Sequence, residues 1–123
     1  MPVRSLNTSV IKWPGLQTVD RAARDWANRQ ASLHPRIERA AYFGSYARRD
    51  WGVGSDLDLL LIVSESPLPF EMRASQFDTT PLPVPVDLLV YTSGEWQQMI
   101  EGAGSFIRRL QAEAVWIYPA QIT

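Results

Sequence analysis

The chain has 123 residues, 46% of them hydrophobic, which suits one domain with a single core. Its net charge of −1, from 12 Lys and Arg against 13 Asp and Glu, lacks the basic excess that binding to a nucleic-acid backbone requires, so nucleic acid is not an expected partner. It has no cysteine, which excludes disulfides and thiolate metal sites, and it has no apolar run of membrane-spanning length. We therefore expect a cytoplasmic protein with no membrane partner.

The N-terminal segment is predicted to be an extension rather than part of the core. Residues 1–15 show no sustained periodicity, so we divide the chain into an N-terminal extension and a domain over residues 16–123. Trp13 lies in this extension, and we expect it to be exposed in the isolated chain and to anchor a partner. The alternative is that residues 9–13 pack as an added edge strand.

A helix and a strand follow the extension. Apolar residues recur at helical spacing from residue 19 to about residue 33, with Thr18 as the expected cap, and Ile37–Phe43 predicts a first strand. His34, the only histidine, lies beside Pro35 between these elements. A surface or capping role is a simpler interpretation of His34 than a zinc site or a catalytic triad.

The next part of the chain predicts two strands separated by a loop. Apart from Asp58, the run Leu57–Val63 is apolar, which favours a strand covered on both faces. Residues 64–83 are rich in proline and are predicted to be mostly loop, with helix-forming capacity at residues 70–77. A third strand is predicted over residues 84–91, and Pro85 places its beginning at a sheet edge or a bulge.

Two helices and a strand complete the pattern. Thr92 and Glu95 fit a capping box that opens a helix ending near Ile100. A second helix is predicted over residues 105–114, before a short strand at Val115–Tyr118. Strands alternating with helices indicate an α/β or α+β fold: one domain with a mixed, mostly antiparallel sheet flanked by helices.

Three carboxylates are candidates for metal binding. Side chains two apart on a strand project from the same face, so Asp56 and Asp58 should point together at the start of the second strand. Asp87 should face away from the core on a neighbouring strand and reach the same ion. Clustered carboxylates repel one another, a divalent cation relieves that repulsion, and oxygen ligands favour Mg²⁺ or Mn²⁺.

A phosphate-binding turn is predicted after the first strand. Gly44 lets backbone amides approach a phosphate, Ser45 adds a hydroxyl donor, and Arg48 and Arg49 can offset triphosphate charge. Each feature alone has a plainer interpretation, namely a solvated turn, an ordinary Gly-Ser turn or a solvated charge pair. Trp51 in the following loop is interpreted as packing in that loop rather than stacking on a base.

The order and spacing of these residues resemble a known family. The segment Gly44-Ser45-Tyr46-Ala47-Arg48 is followed by Asp56-Leu57-Asp58, with ten residues between the Gly-Ser pair and Asp56. This pattern is similar to the signature of the DNA polymerase β superfamily of nucleotidyltransferases. Val86-Asp87-Leu88-Leu89-Val90 resembles that superfamily's third motif. The resemblance covers roughly residues 37–118 and implies a nucleotidyltransferase fold like the polymerase β palm. Arg49 departs from the pattern, because the family usually has glycine there, which puts the tightness of the turn in question.

The resemblance also implies a mechanism and its ligands. Asp56, Asp58 and Asp87 would bind two Mg²⁺ ions, and Asp87 would accept or orient the proton of the attacking hydroxyl. Gly44, Ser45 and Ser55 would anchor phosphate oxygens of ATP, the expected donor of AMP.

Small stand-alone members of the superfamily resemble the antitoxin of HEPN and minimal nucleotidyltransferase (MNT) pairs, in which the antitoxin adenylylates a tyrosine of its helical HEPN partner. We expect this chain to lack an acceptor-recognition domain and to find its acceptor on such a partner. Two alternatives stay open: nucleotidyl transfer to a small molecule, and a non-catalytic antitoxin or scaffold that acts by binding alone.

Overall fold

The computed structural model describes residues 13–120, whose strands form one four-stranded sheet. In chain order the strands are β1 (Ile37–Phe43), β2 (Leu57–Val63), β3 (Val86–Thr92) and β4 (Val115–Tyr118). Across the sheet they lie in the order β3-β2-β1-β4, with β1 antiparallel to both β2 and β4 and β2 parallel to β3. The predicted mixed, mostly antiparallel sheet is confirmed.

Helices cover both faces of this sheet. They are α1 (Leu16–Leu33), α2 (Ser45–Arg48), α3 (Phe70–Arg73) with a 3-10 turn at Ala74–Gln76, α4 (Ser93–Gly102) and α5 (Ser105–Glu113). One core cluster joins α1 to one face of the sheet, and a second joins α4 and α5 to the other face. Of the helices within residues 13–120, none is long and apolar enough to cross a membrane.

The burial of strand β2 on both faces explains why its residues after Asp58 are all apolar. Leu57, Leu59 and Leu61 belong to the core cluster on the α1 face, whereas Leu60 and Ile62 belong to the cluster on the α4–α5 face. Because successive side chains of a strand alternate between faces, a segment that is buried on both sides, such as residues 59–63, is apolar at every position. The position of β2 between β1 and β3 therefore accounts for its composition.

Helix α1 begins earlier than predicted. It starts at Leu16 with Gly15 as its N-cap, so the predicted cap Thr18 is wrong and lies inside the helix. The buried stripe includes Val19, whose position the periodicity identified correctly. His34 ends the helix: its backbone N–H donates to the Gln30 carbonyl at 2.8 Å, which agrees with a capping role.

Helix α4 begins with the predicted capping box. The Thr92 side chain accepts from the Glu95 N–H, and the Glu95 carboxylate accepts from the Thr92 N–H at 2.9 Å. The same carboxylate pairs with the buried Arg73 guanidinium at 2.6 and 3.0 Å, which fastens the loop after β2 onto α4. Strand β3 begins at Val86 rather than at residue 84, directly after Pro85, and it is an edge strand as the proline indicated.

The expectation of an exposed Trp13 is wrong. Its side chain is half-buried and packs against the core cluster on the α1 face, and the Tyr46 hydroxyl donates to the neighbouring Pro14 carbonyl at 3.0 Å. Residues 13–15 are therefore attached to the domain. Residues 1–12, and with them most of the predicted extension and of the alternative edge strand, lie outside the described residues. Trp26 and Trp96 are buried in the two core clusters.

Candidate active site

Two carboxylates lie side by side at one end of the sheet. Asp58 is the second residue of β2 and Asp87 the second residue of β3, and the two are register partners in the parallel pair. Register partners on adjacent strands project to the same face, which here is the α4–α5 face. Asp56 precedes β2 on the exposed loop. The sheet therefore brings Asp58 and Asp87 together, with Asp56 two residues away from Asp58.

Asp58 carries an electrostatic penalty at this position. It is half-buried, whereas Asp56 and Asp87 are exposed. Burial, followed by repulsion from Asp87 and from Asp56, raises the pKa of Asp58 to about 6, and Arg48 opposes the shift. The negative charge of the three carboxylates is thus not neutralised by the cations around them.

This donor set fits a hard divalent cation in its chemistry. Carboxylate oxygens are preferred ligands of Mg²⁺, and a cation would offset the repulsion that raises the pKa of Asp58. Over the part of the chain that the structure describes, however, no three acidic, histidine or cysteine side chains are grouped closely enough to hold a metal ion. Like charges keep carboxylates apart, so binding of an ion would have to draw the three side chains together.

Gly44 brings the backbone of the turn after β1 close to Asp58. Its φ of 77° and ψ of −151° lie in a region that only glycine occupies readily. A Cβ at Gly44 would also overlap the Asp58 carboxylate, and would lie 3.1 Å from its Cγ. Close packing of the turn against Asp58 therefore requires glycine at position 44.

Glu113 is a component of the site that the sequence analysis missed. The Gly44 N–H donates to Glu113 Oε2 at 2.7 Å, and an Arg48 guanidinium nitrogen donates to the same oxygen at 3.2 Å. Arg48 also pairs with Asp50 at 3.2 Å. Glu113 is the last residue of α5, and no local motif signals its role because its partners are far away in sequence.

These groups surround a cavity of about 210 Å³. Besides Asp58 and Glu113, its walls include the two cationic side chains Arg48 and Arg109 and the aromatic ring of Phe106. The cavity combines carboxylates, guanidinium groups and an apolar wall in one concave surface. Such a surface can position a charged small molecule that also has an apolar part.

The two serines predicted to contact phosphate have different surroundings. Ser55 Oγ accepts from the Gly52 N–H at 2.8 Å, and the Ser55 N–H donates to the Gly52 carbonyl at 3.0 Å. Ser55 therefore closes the loop that precedes Asp56. Ser45 is the first residue of α2, is half-buried, and lies directly after Gly44 in the turn.

Arg49, which stands where the family usually has glycine, still allows a tight turn after Arg48. Arg49 adopts φ 67° and ψ 28°, the left-handed conformation that glycine would favour, and ends α2 by donating its N–H to the Tyr46 carbonyl at 3.3 Å. Trp51 stacks on the Tyr46 ring, with centroids 5.6 Å apart and planes 13° from parallel. This contact agrees with the interpretation of Trp51 as a packing residue.

Comparisons with known proteins address the fold and the family. A family model described as a nucleotidyltransferase domain matches residues 26–117, which is more than half of the chain. Among solved structures, a protein of Sulfolobus solfataricus provisionally assigned as a nucleotidyltransferase aligns with a TM-score of 0.59 and 22% identity over 82% of this chain and 80% of that one. A chain of a toxin–antitoxin complex with AMP-PNP aligns with a TM-score of 0.50 and 15% identity over 80% and 74%. These two likenesses show a shared fold, and a search of curated proteins found no significant match.

Proposed function

The chain belongs to the nucleotidyltransferase domain family, and we propose that it transfers AMP from ATP to a hydroxyl group of a protein partner. The observation that carries this proposal is the packing of Asp58 against the Gly44 turn with Asp87 in register on the next strand. A phosphate-binding turn and a pair of metal-binding carboxylates are the two components that nucleotidyl transfer requires.

The carboxylates have the metal-binding role in this proposal. Asp56, Asp58 and Asp87 would hold Mg²⁺, which when bound neutralises triphosphate charge and polarises the acceptor hydroxyl. Gly44 and Ser45 form the turn after β1, and in this proposal the Gly44 N–H and the Ser45 hydroxyl would donate to phosphate oxygens.

Arg48 completes the phosphate contacts in the proposal. Its guanidinium group lies on the cavity wall near Gly44 and would pair with phosphate oxygens. Ser55 would contribute less directly, because its hydroxyl holds the loop before Asp56.

The transfer step follows from these positions. The acceptor oxygen forms a bond to the α-phosphorus, the bond from that phosphorus to the bridging oxygen of the β-phosphate breaks, and pyrophosphate leaves. The hydroxyl proton passes to the Asp87 carboxylate, which is exposed on an edge strand and can be reached by a hydroxyl on a large partner.

An apolar surface beside the cavity supports a protein acceptor. Phe106 lines the cavity that contains Asp58 and also lines an adjacent cleft of about 340 Å³ with Met99 and Ile107. Phe106 is 38% exposed, and exposed aromatic side chains are frequent anchors of protein interfaces. The similarity to a chain of a toxin–antitoxin complex with AMP-PNP supports a protein partner and an adenine nucleotide. The HEPN-type helical partner that the sequence resemblance implies is the first candidate to test.

The test is transfer of label from ATP to a co-purified partner. The protein is expressed with the product of the neighbouring gene and incubated with ATP labelled at the α-phosphate, with Mg²⁺ or with EDTA. We expect Mg²⁺-dependent labelling of a hydroxyl side chain of the partner, and no labelling from ATP that carries the label at the γ-phosphate. The second result separates nucleotidyl from phosphoryl transfer.

A matched pair of variants tests the assignment of the carboxylates. Asp58→Asn should abolish labelling with the free energy of unfolding unchanged or raised, because it removes repulsion along with a metal ligand. Asp25→Asn removes the same charge from an exposed position on α1 and should label normally. A partner that binds but is never labelled would instead indicate a non-catalytic antitoxin, and release of pyrophosphate without a labelled protein would indicate a small-molecule acceptor.

A further inference from the structure

The donors proposed to hold phosphate already hold a carboxylate of the chain itself. Glu113 accepts from the Gly44 N–H at 2.7 Å and from Arg48 at 3.2 Å. The Glu113 side chain is only 15% exposed, whereas the side chain of Asp50, the second partner of Arg48, is 59% exposed. The ion pair between Arg48 and Glu113 is therefore better shielded from solvent than the ion pair between Arg48 and Asp50. Glu113 thus occupies the donors as a phosphate oxygen would.

Carboxylate and phosphate oxygens compete for these groups. Both accept short, charge-assisted hydrogen bonds from amides and guanidinium groups, and one N–H cannot make a strong bond to two anions at once. Glu113 also lies in the cavity with Asp58, and it contributes to the raised pKa of that carboxyl. Adding a triphosphate beside both carboxylates would concentrate negative charge further unless Glu113 moves away.

We propose that Glu113 is an internal competitor for nucleotide phosphate, which ATP must displace from Gly44 and Arg48 in order to bind. This inference rests on the proposed function, because it assumes that phosphate binds at the Gly44 turn. Glu113 is the last residue of α5, and β4 begins two positions later. When ATP displaces Glu113 from Gly44 and Arg48, the side chain that moves lies at the junction between α5 and the sheet. Removing its charge then favours the ATP-bound form.

The experiment compares ATP binding by Glu113→Gln and by the wild-type protein, measured calorimetrically with Mg²⁺. Glutamine keeps the size and one acceptor oxygen but removes the charge, so we expect about fivefold tighter ATP binding, the scale expected when a charged acceptor is replaced by a neutral one. Inorganic triphosphate, as a second probe, should show the same gain because it presents phosphates alone. Glu101→Gln removes a charge from the exposed surface of α4 and should bind as the wild type does.

A different role of Glu113 would give the opposite result. If Glu113 holds the Gly44 turn in its binding shape, Glu113→Gln will bind ATP equally or more weakly, and the proposal is overturned. Unfolding is measured on every variant. If the glutamine variant does not fold, Glu113→Asp replaces it: the shorter side chain withdraws from Gly44, so tighter binding supports the proposal and weaker binding overturns it. Absence of ATP binding in all variants and in the wild type would instead refute the proposed function.

Discussion

Replacement of Gly44 by alanine should destabilise the protein through two separate effects. The backbone of Gly44 lies in a region that costs other residues on the order of 1–3 kcal/mol. The added methyl group would also overlap the Asp58 carboxylate, and forcing extra volume into a packed position costs about 1–3 kcal/mol. Together these effects predict a loss of about 2–6 kcal/mol, a large share of the 5–15 kcal/mol that is typical of a folded domain.

Urea unfolding followed by tryptophan fluorescence measures this loss, and a double-mutant cycle separates its two parts. In an Asp58→Ala background the overlap disappears, so Gly44→Ala should cost only the backbone term of about 1–3 kcal/mol. Gly94→Ala is the control, because a Cβ there meets nothing within 4 Å and its φ is not positive. An equal cost of Gly44→Ala in both backgrounds would show that Asp58 does not approach the turn. A loss of unfolding free energy below about 0.5 kcal/mol, the range of ordinary surface changes, would refute the backbone conformation of Gly44.

Substitutions at Arg49, Glu95 and Ser45 test other parts of the fold and the site. Arg49→Gly should raise the free energy of unfolding by about 1 kcal/mol, because glycine adopts the left-handed conformation of this position without strain. Ala103→Gly, at the equivalent position after α4, should have the same effect. A loss of stability in both variants would contradict the left-handed conformation of these two residues. Pairing with Arg73 lowers the pKa of Glu95 from 4.5 to about 2. The stabilisation of the fold by the Glu95 carboxylate is therefore complete above pH 4.5 and is lost as the pH falls towards 2. Between pH 5 and pH 2, the urea midpoint of Glu95→Gln should fall less than that of the wild type. Ser45→Ala should weaken ATP binding by about 1–2 kcal/mol with unchanged urea unfolding, whereas unchanged affinity in calorimetry would show that the turn does not bind phosphate through this hydroxyl.

The strands and the main site motif could be predicted because their signals are local. The bounds of β1, β2 and β4 agree with the predictions, since apolar runs between turn residues mark them directly. The capping box at Thr92 also depends on residues only three positions apart. Alternation of side chains along a strand predicted that Asp87 faces away from the core residues of β3, and the register of β3 with β2 then brings it beside Asp58.

Contacts between distant segments are specified only in the folded chain. The residue that holds the Gly44 amide and Arg48 is Glu113, on the last helix, and no local pattern distinguishes it from other surface glutamates. Trp13 is half-buried because a distant core surface covers it, although its own segment has no periodicity. The helices, the strands and the order of the chemical groups can be inferred from the sequence alone, since these depend on backbone geometry over a few residues. The neighbours of each group depend on how the helices pack onto the sheet, which brings together residues that are far apart in the chain.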